Sequence, residues 1–118
     1  MKRIILKSKI HKATVTETNI NYEGSLTLDQ DLMKASDMIP YEQIQVYNIS
    51  NGERFVTYLI KGKAGSGIVG INGAAAHKAK KGDQLIIATY AEMDEKDIDF
   101  IVPTIIILDE KNNIKEPY

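Results

Sequence analysis

Short apolar runs separated by polar punctuation dominate the chain, and few stretches repeat apolar residues at the three- and four-residue spacing of a helix. The runs are rich in Ile, Val, Thr and Tyr and bounded by Gly, Asn, Asp and Pro, which predicts strands of about five to eight residues. Residues 12–19 read as one such strand, with Ala13 and Val15 on one face and Thr14, Thr16 and Thr18 on the other. Residues 25–28 read as a second, shorter strand, reached through a turn that ends at Gly24. Residues 29–36 are the best helix candidate, capped by Asp29, with Leu32, Met33 and Ala35 inward and Pro40 barring continuation.

Residues 43–49 alternate, Ile44, Val46 and Asn48 opposing Gln45, Tyr47 and Ile49, and residues 54–60 form the next strand. Asn51-Gly52 between these runs is a strong hairpin signal. A glycine-rich loop over 62–67 leads into a short strand at 68–71, and Gly73 opens a helical turn reaching about residue 79. Residues 84–90 and 104–108 are the last expected strands, the second apolar enough to be buried on both faces. Six or seven short strands with one or two brief helices predict a mainly β fold, a closed or nearly closed small barrel.

With 118 residues the chain falls in the range of a single domain. Lys plus Arg total 15 against 16 for Asp plus Glu, a net charge of −1, so no global field draws a nucleic-acid backbone or an anionic membrane. The absence of cysteine removes disulfides, thiolate nucleophiles and zinc–thiolate sites, and the two histidines, His11 and His77, are a thin basis for a metal site. The apolar run near the N-terminus is interrupted by Lys7, too short for a signal-peptide core or a membrane span. A cytoplasmic protein without membrane or nucleic-acid partners is expected.

Several motif spellings fail on context. Gly65-x-Gly67-x-x-Gly70 lacks the helix and βαβ unit that a dinucleotide fingerprint needs, and reads as a loop feeding a strand. Lys78, Lys80 and Lys81 have no interleaved aromatics and read as a solvated face. No Gly-x-Ser-x-Gly elbow surrounds any serine, so a serine triad with His11 has little support, and His11 is kept as a supporting group.

Tyr22-Glu23-Gly24-Ser25 carries chemistry of a different kind. A serine hydroxyl can attack the preceding carbonyl where the backbone bends enough, and a glycine there permits the bend and leaves the carbonyl unshielded. The resulting ester can eliminate, breaking the chain and leaving a residue that hydrolyses to a ketone, a pyruvoyl group. Gly-Ser alone is a common turn dipeptide, so the spelling is not sufficient.

The whole chain, however, resembles the bacterial aspartate 1-decarboxylase family from about Lys7 to Asn112. Four blocks carry the likeness: residues 8–16, beginning Ser8-Lys9-Ile10-His11; 21–27, with Asn21-Tyr22-Glu23-Gly24-Ser25; 51–58, Asn51-Gly52-Glu53-Arg54-Phe55-Val56-Thr57-Tyr58; and 72–77, Asn72-Gly73-Ala74-Ala75-Ala76-His77, followed by Gly82-Asp83. Lys12 stands where arginine is common in the family.

The resemblance implies a double-psi β-barrel assembled as a homotetramer and cut between Gly24 and Ser25 into a β chain of residues 1–24 and an α chain of residues 25–118. It implies decarboxylation of L-aspartate to β-alanine, which supplies pantothenate and coenzyme A synthesis, with a covalent pyruvoyl group derived from Ser25 and neither metal nor pyridoxal phosphate. Tyr58 is then the proton donor, Lys9 and Arg54 bind substrate carboxylates, and Thr57 serves cleavage and binding. Gly73, Ala74 and Ala75 bind substrate through the backbone, with Asn72 and Tyr22 lining the site. A processing helper protein is a possible further partner. The chemistry is coherent: decarboxylation leaves electrons at the substrate Cα, and an imine with a pyruvoyl ketone accepts them. Two alternatives stay open, a non-catalytic β-barrel that binds a partner, and a pyruvoyl decarboxylase of another amino acid such as glutamate, since one methylene is worth only about 1–3 kcal/mol of discrimination.

Overall fold

A computed structural model describes residues 1–117 and the side chains of residues 1–115. The chain is mainly β, in agreement with the expected small β-barrel. Its strands are β1 (Lys2–Thr14), β2 (Glu17–Asn19), β3 (Ser25–Asp29), β4 (Gln43–Asn48), β5 (Arg54–Gly62), β6 (Val69–Asn72), β7 (Gln84–Asp94), β8 (Thr104–Leu108) and β9 (Ile114–Pro117). One α-helix, α1 (Gln30–Ala35), and 3-10 turns at Gly73–His77 and Glu95–Phe100 complete it. The strands hydrogen-bond in the order β2-β6-β3-β5-β4-β7-β1-β8-β9, with β1/β8, β2/β6 and β3/β5 parallel and the other pairs antiparallel. None of the described helices is long and apolar enough to cross a membrane.

Alternation along the strands builds the core. Ile10, Ile44, Val46, Leu59, Leu85, Ile87 and Ile106 are buried on one side of the sheet, joined by Leu26, Leu28 and Ile71 and by Leu32 and Met33 of α1. Each fully buried aliphatic side chain contributes about 1.5–3 kcal/mol of transfer free energy, so the inner face holds the strands in register. α1 starts where predicted: Asp29 Oδ1 accepts from the Asp31 backbone N–H at 2.8 Å. The same buried carboxylate accepts from the N–H groups of Gly65 (3.1 Å) and Gly67 (2.8 Å), which pins the glycine-rich loop as a connector into β6, with no helix beginning inside it. The β4–β5 hairpin also forms as expected, closed by Asn48 N–H to Glu53 O and Gly52 N–H to Asn48 O, both 2.8 Å, with Gly52 at φ +78°.

Three expectations need correction. Residues 12–19 are not one strand: β1 spans Lys2–Thr14, a bulge lies between His11 and Ala13 with Lys12 at φ +68°, and β2 begins only at Glu17. The break is imposed from a distance, because Val15 N–H bonds to Asp83 O and Thr16 N–H to Val69 O, both 2.9 Å. Strand 84–90 continues to Asp94, pairing along nearly all of β1. Finally, β8 is not buried on both faces: Ile106 and Leu108 are buried, whereas Ile105 and Ile107 are half-buried and line an open pocket.

Candidate active site

β3 begins at Ser25, and its first residue is the most constrained group of the site. Ser25 is 1% exposed, its hydroxyl donates to Glu23 O at 3.3 Å, and Asn72 Nδ2 donates to its Oγ at 3.0 Å. Asn72 is the cross-strand partner of Ser25 and gives a second hydrogen bond to Thr27 Oγ1, also 3.0 Å, so its amide is fixed by two acceptors on one strand. A hydroxyl that donates two residues back is curled over the peptide joining Gly24 to Ser25.

The next residue after Asn72 seats the loop. Gly73 has φ +66°, and a Cβ built there would lie 2.7 Å from both Cα and N of Gly24 and 2.8 Å from Tyr22 O. The turn at 22–24 therefore rests on bare backbone, and only a glycine permits that approach. Gly24 opens onto a cleft of about 440 Å³ lined also by Phe55, Val56, Thr57 and Tyr58 of β5 and by Ala74, Ala75 and Lys78. Eight of the residues singled out from sequence, Gly24, Ser25, Thr57, Tyr58, Asn72, Gly73, Ala74 and Ala75, thus converge on one place. Tyr22 lies beside Gly73 through its backbone carbonyl, and the residue is 53% exposed.

The remaining residues lie on the outward face of the sheet, where cross-strand pairing sets them in rows. One row reads Ile107, His11, Ile86, Tyr47, Arg54, each the direct partner of the next; the adjacent row reads Ile105, Lys9, Ala88, Gln45, Val56. Arg54, on the strand that carries Tyr58 four residues later, is exposed and forms no ion pair among the described residues. Lys9 and His11 sit three strand spacings away, about 14 Å, in a separate pocket of about 260 Å³ with Ile105 and Ile107. A single chain therefore does not bring Lys9 into the cleft beside Gly24. His11 titrates below its ordinary value, first because its ring is desolvated and then because of the charges of Lys9 and Lys12, and its buried Nδ1 has no hydrogen-bond partner among the described residues.

Two residues that escaped the sequence reading touch residues it singled out. Lys78, taken as part of a solvated face, lines the cleft and reaches Arg54 O at 3.4 Å and Glu53 at 4.0 Å. Tyr47 lies under Arg54, its direct cross-strand partner; the loop joining the two strands spans residues 49–52, closed between Asn48 and Glu53, so a two-residue turn at Asn51-Gly52 would have set Tyr47 against Val56 instead. Chemically, the arrangement brings together a hydroxyl curled back over a Gly–Ser peptide, an amide donor on that hydroxyl and a phenol in the adjoining cleft, with the Arg54 guanidinium further back on the strand that carries the phenol.

Comparison with known proteins bears on this arrangement. A family model described as aspartate decarboxylase matches residues 1–115. The chain is 54% identical over 116 residues to the aspartate 1-decarboxylase of Cupriavidus necator, covering 98% of this chain and 97% of that protein. It is 58% identical over 112 residues to the aspartate 1-decarboxylase of Syntrophobacter fumaroxidans, covering 95% and 90%. The aspartate 1-decarboxylase of Syntrophus aciditrophicus is 50% identical over 115 residues, with 98% and 99% covered.

Proposed function

The chain belongs to the aspartate decarboxylase family, and from that premise we propose that it removes the α-carboxylate of L-aspartate, releasing β-alanine and carbon dioxide for pantothenate and coenzyme A synthesis. The observation that carries the mechanism is the Gly24–Ser25 junction, with Ser25 Oγ held between Glu23 O and Asn72 Nδ2 while Gly73 supports the turn.

Maturation starts with that hydroxyl. Ser25 Oγ attacks the Gly24 carbonyl carbon; the C–N bond breaks as the C–O bond forms, and the hydroxyl proton ends on the freed Ser25 amine. Loss of the Ser25 Cα proton then expels the Gly24 carboxylate from Cβ, leaving residues 1–24 as one chain and a dehydroalanine at position 25. Tautomerisation, addition of water and loss of ammonia convert position 25 into a pyruvoyl group heading residues 25–118. The surroundings suit such a group: Gly73 has no side chain to crowd it, and Asn72, the cross-strand partner of residue 25, keeps a side-chain amide donor beside it once Oγ has left with the Gly24 carboxylate. When formed, the pyruvoyl group supplies the electron sink for the pair left at the substrate Cα.

The chain's own residues do the rest. Arg54 holds the side-chain carboxylate that stays, through a planar pair of donors, and Lys9 offers a second cation. Thr57 and the backbone of Gly73, Ala74 and Ala75 border the substrate, with Tyr22 and Asn72 beside them. Tyr58 delivers a proton to the substrate Cα after carbon dioxide leaves, a positioned general acid of the kind worth about 10²–10⁴ in rate. Because Lys9 and His11 occupy a pocket apart from the cleft, we assign the complete site to an assembly, a cytoplasmic homotetramer in which a second copy brings its Lys9 face to the cleft, with maturation open to a helper protein.

The test is the intact mass of the denatured protein after warming in neutral buffer, followed by turnover of aspartate and glutamate side by side. Two species, ending at Gly24 and starting at position 25, are expected, the larger lighter by one ammonia than a fragment beginning with serine. Release of β-alanine should follow the cleaved fraction. Cleaved protein that turns over glutamate and leaves aspartate untouched would overturn the substrate, and activity in wholly uncleaved protein would overturn the mechanism.

A further inference from the structure

Arg54 is a long, exposed side chain without an ion pair among the described residues, yet its guanidinium carbon lies 4.8 Å from the centroid of the Tyr47 ring. Tyr47 is in turn held at both ends. Its backbone sits in the ladder between Arg54 and Ile86, and its hydroxyl is 2.9 Å from the hydroxyl of Tyr90, further along β7. A cation–π contact anchors an arginine without an acceptor: the ring attracts the cation through its face, so N–H donors stay available for a carboxylate. An aspartate or glutamate partner would have used up those donors and cancelled the charge.

We propose that Tyr47 is a positioning residue for Arg54, its ring anchored by Tyr90 so that the guanidinium is oriented before a substrate carboxylate arrives. The proposal rests on the reading of Arg54 as the carboxylate clamp. Tyr90 titrates above the ordinary tyrosine value, chiefly through its hydrogen bond with Tyr47 and then through burial, so its hydroxyl keeps its proton well past neutral pH. Preorganisation of this kind reduces the ordering cost paid on binding. Since the clamped carboxylate is retained throughout the reaction, the effect falls on KM and not on kcat.

The experiment is steady-state kinetics with aspartate on fully cleaved protein, its cleavage checked by intact mass. Tyr47→Leu removes the ring and should raise KM about two- to fivefold, the range of an exposed cation–π contact, with kcat within the scatter of the wild type. Tyr47→Phe and Tyr90→Phe keep the rings and cut the hydroxyl contact, so each should raise KM by a smaller factor, and the double variant should be no worse than either single. Placed in an Arg54→Ala background, Tyr47→Leu should change nothing further, whereas a residue that merely supports the fold would lower kcat or thermal stability in both backgrounds. A wild-type KM for Tyr47→Leu beside an impaired Arg54→Ala enzyme overturns this inference alone. An unimpaired Arg54→Ala enzyme removes Arg54 from the site and the inference with it. Should Tyr47→Leu fail to fold, the two Phe variants decide, and a wild-type KM in both counts against the proposal.

Discussion

Replacing Gly73 with alanine tests whether bare backbone under the 22–24 turn is needed for chain cleavage. Two costs enter. A non-glycine residue at φ +66° pays about 1 kcal/mol for the left-handed conformation. The added methyl would also stand 2.7 Å from Cα and N of Gly24 and 2.8 Å from Tyr22 O, well inside the contact distance of about 3.5–4.0 Å for carbon atoms. The colliding atoms are backbone, so the turn must retreat by most of an ångström, carrying the Gly24 carbonyl away from Ser25 Oγ. A displacement of about 1 Å between reacting groups costs on the order of a hundredfold in rate. Gly82→Ala is the matched control, because Gly82 has φ +93° and open space where its Cβ would go; it pays the backbone strain without the collision. In a time course of intact masses, Gly73→Ala should cleave about a hundredfold more slowly than wild type, and Gly82→Ala should cleave at the wild-type rate while losing about 1 kcal/mol of stability. Equal cleavage rates for the two variants would refute the argument.

Ser25→Ala lacks the attacking oxygen and should remain one chain without decarboxylase activity, whereas Tyr58→Phe should be cleaved normally and lose about 10²-fold or more in kcat; intact mass and an aspartate assay separate the two outcomes. Asn112→Ala should cost about 3 kcal/mol or more, since the buried amide accepts from Thr14 N–H and donates to Thr14 O and Gly67 O, all at 2.8 Å, and leaves those groups unpaired. A drop in Tm of about 10 °C is expected by calorimetry, and an unchanged Tm would show that the C-terminal turn adds nothing. His11 titrates below its ordinary value of 6.5, so as pH falls through 6.5 the unfolded chain takes up a proton that the folded chain still refuses. Stability should therefore decline with falling pH over that window, and His11→Gln should flatten the decline; parallel Tm profiles for the two proteins would sink the assignment.

What could be read from the chain follows the range of the interactions involved. The β4–β5 hairpin and the capped α1 were legible because Asn51-Gly52 and Asp29 act on neighbouring residues. The turn ending at Gly24 was legible in the same way, whereas the chemistry assigned to Ser25 was not, because Gly-Ser is a common turn dipeptide and only the four blocks taken together pointed to it. β1 was not legible over its first half because Lys2, Arg3, Lys7 and Lys9 interrupt the apolar pattern, and because an inward position is filled by Ser8, hydrogen-bonded to Thr89 on β7. That polar pair inside the barrel has no signature in either segment alone. The break after Thr14 and the role of Asn112 depend on partners more than fifty residues away, Val69 and Asp83 in one case and Thr14 in the other. Lys78 is exposed as expected, but its place at the mouth of the cleft was hidden for a related reason: such a lysine looks like any other solvated one until β5 and the 3-10 turn are placed side by side.

The strand period itself explains how so small a barrel holds both a core and a charged site. Ile10, Val46 and Phe55 turn inward from β1, β4 and β5, and alternation then obliges Lys9 and His11, Tyr47, and Arg54 to turn outward. Lys9, His11, Tyr47 and Arg54 thus need no place in the core, because the sheet presents them on the side the core does not use. This arrangement makes register the quantity on which the site depends. A slip of one residue between β4 and β5 would drive Arg54 toward the apolar interior and expel Phe55, replacing a stabilising burial of about 2 kcal/mol with the desolvation of an unpaired cation. The bonds around Gly52 and between Asn48 and Glu53 fix the hairpin against that slip, so a loop with no chemistry of its own sets where the guanidinium and the phenol of β5 stand relative to the Gly24–Ser25 bond.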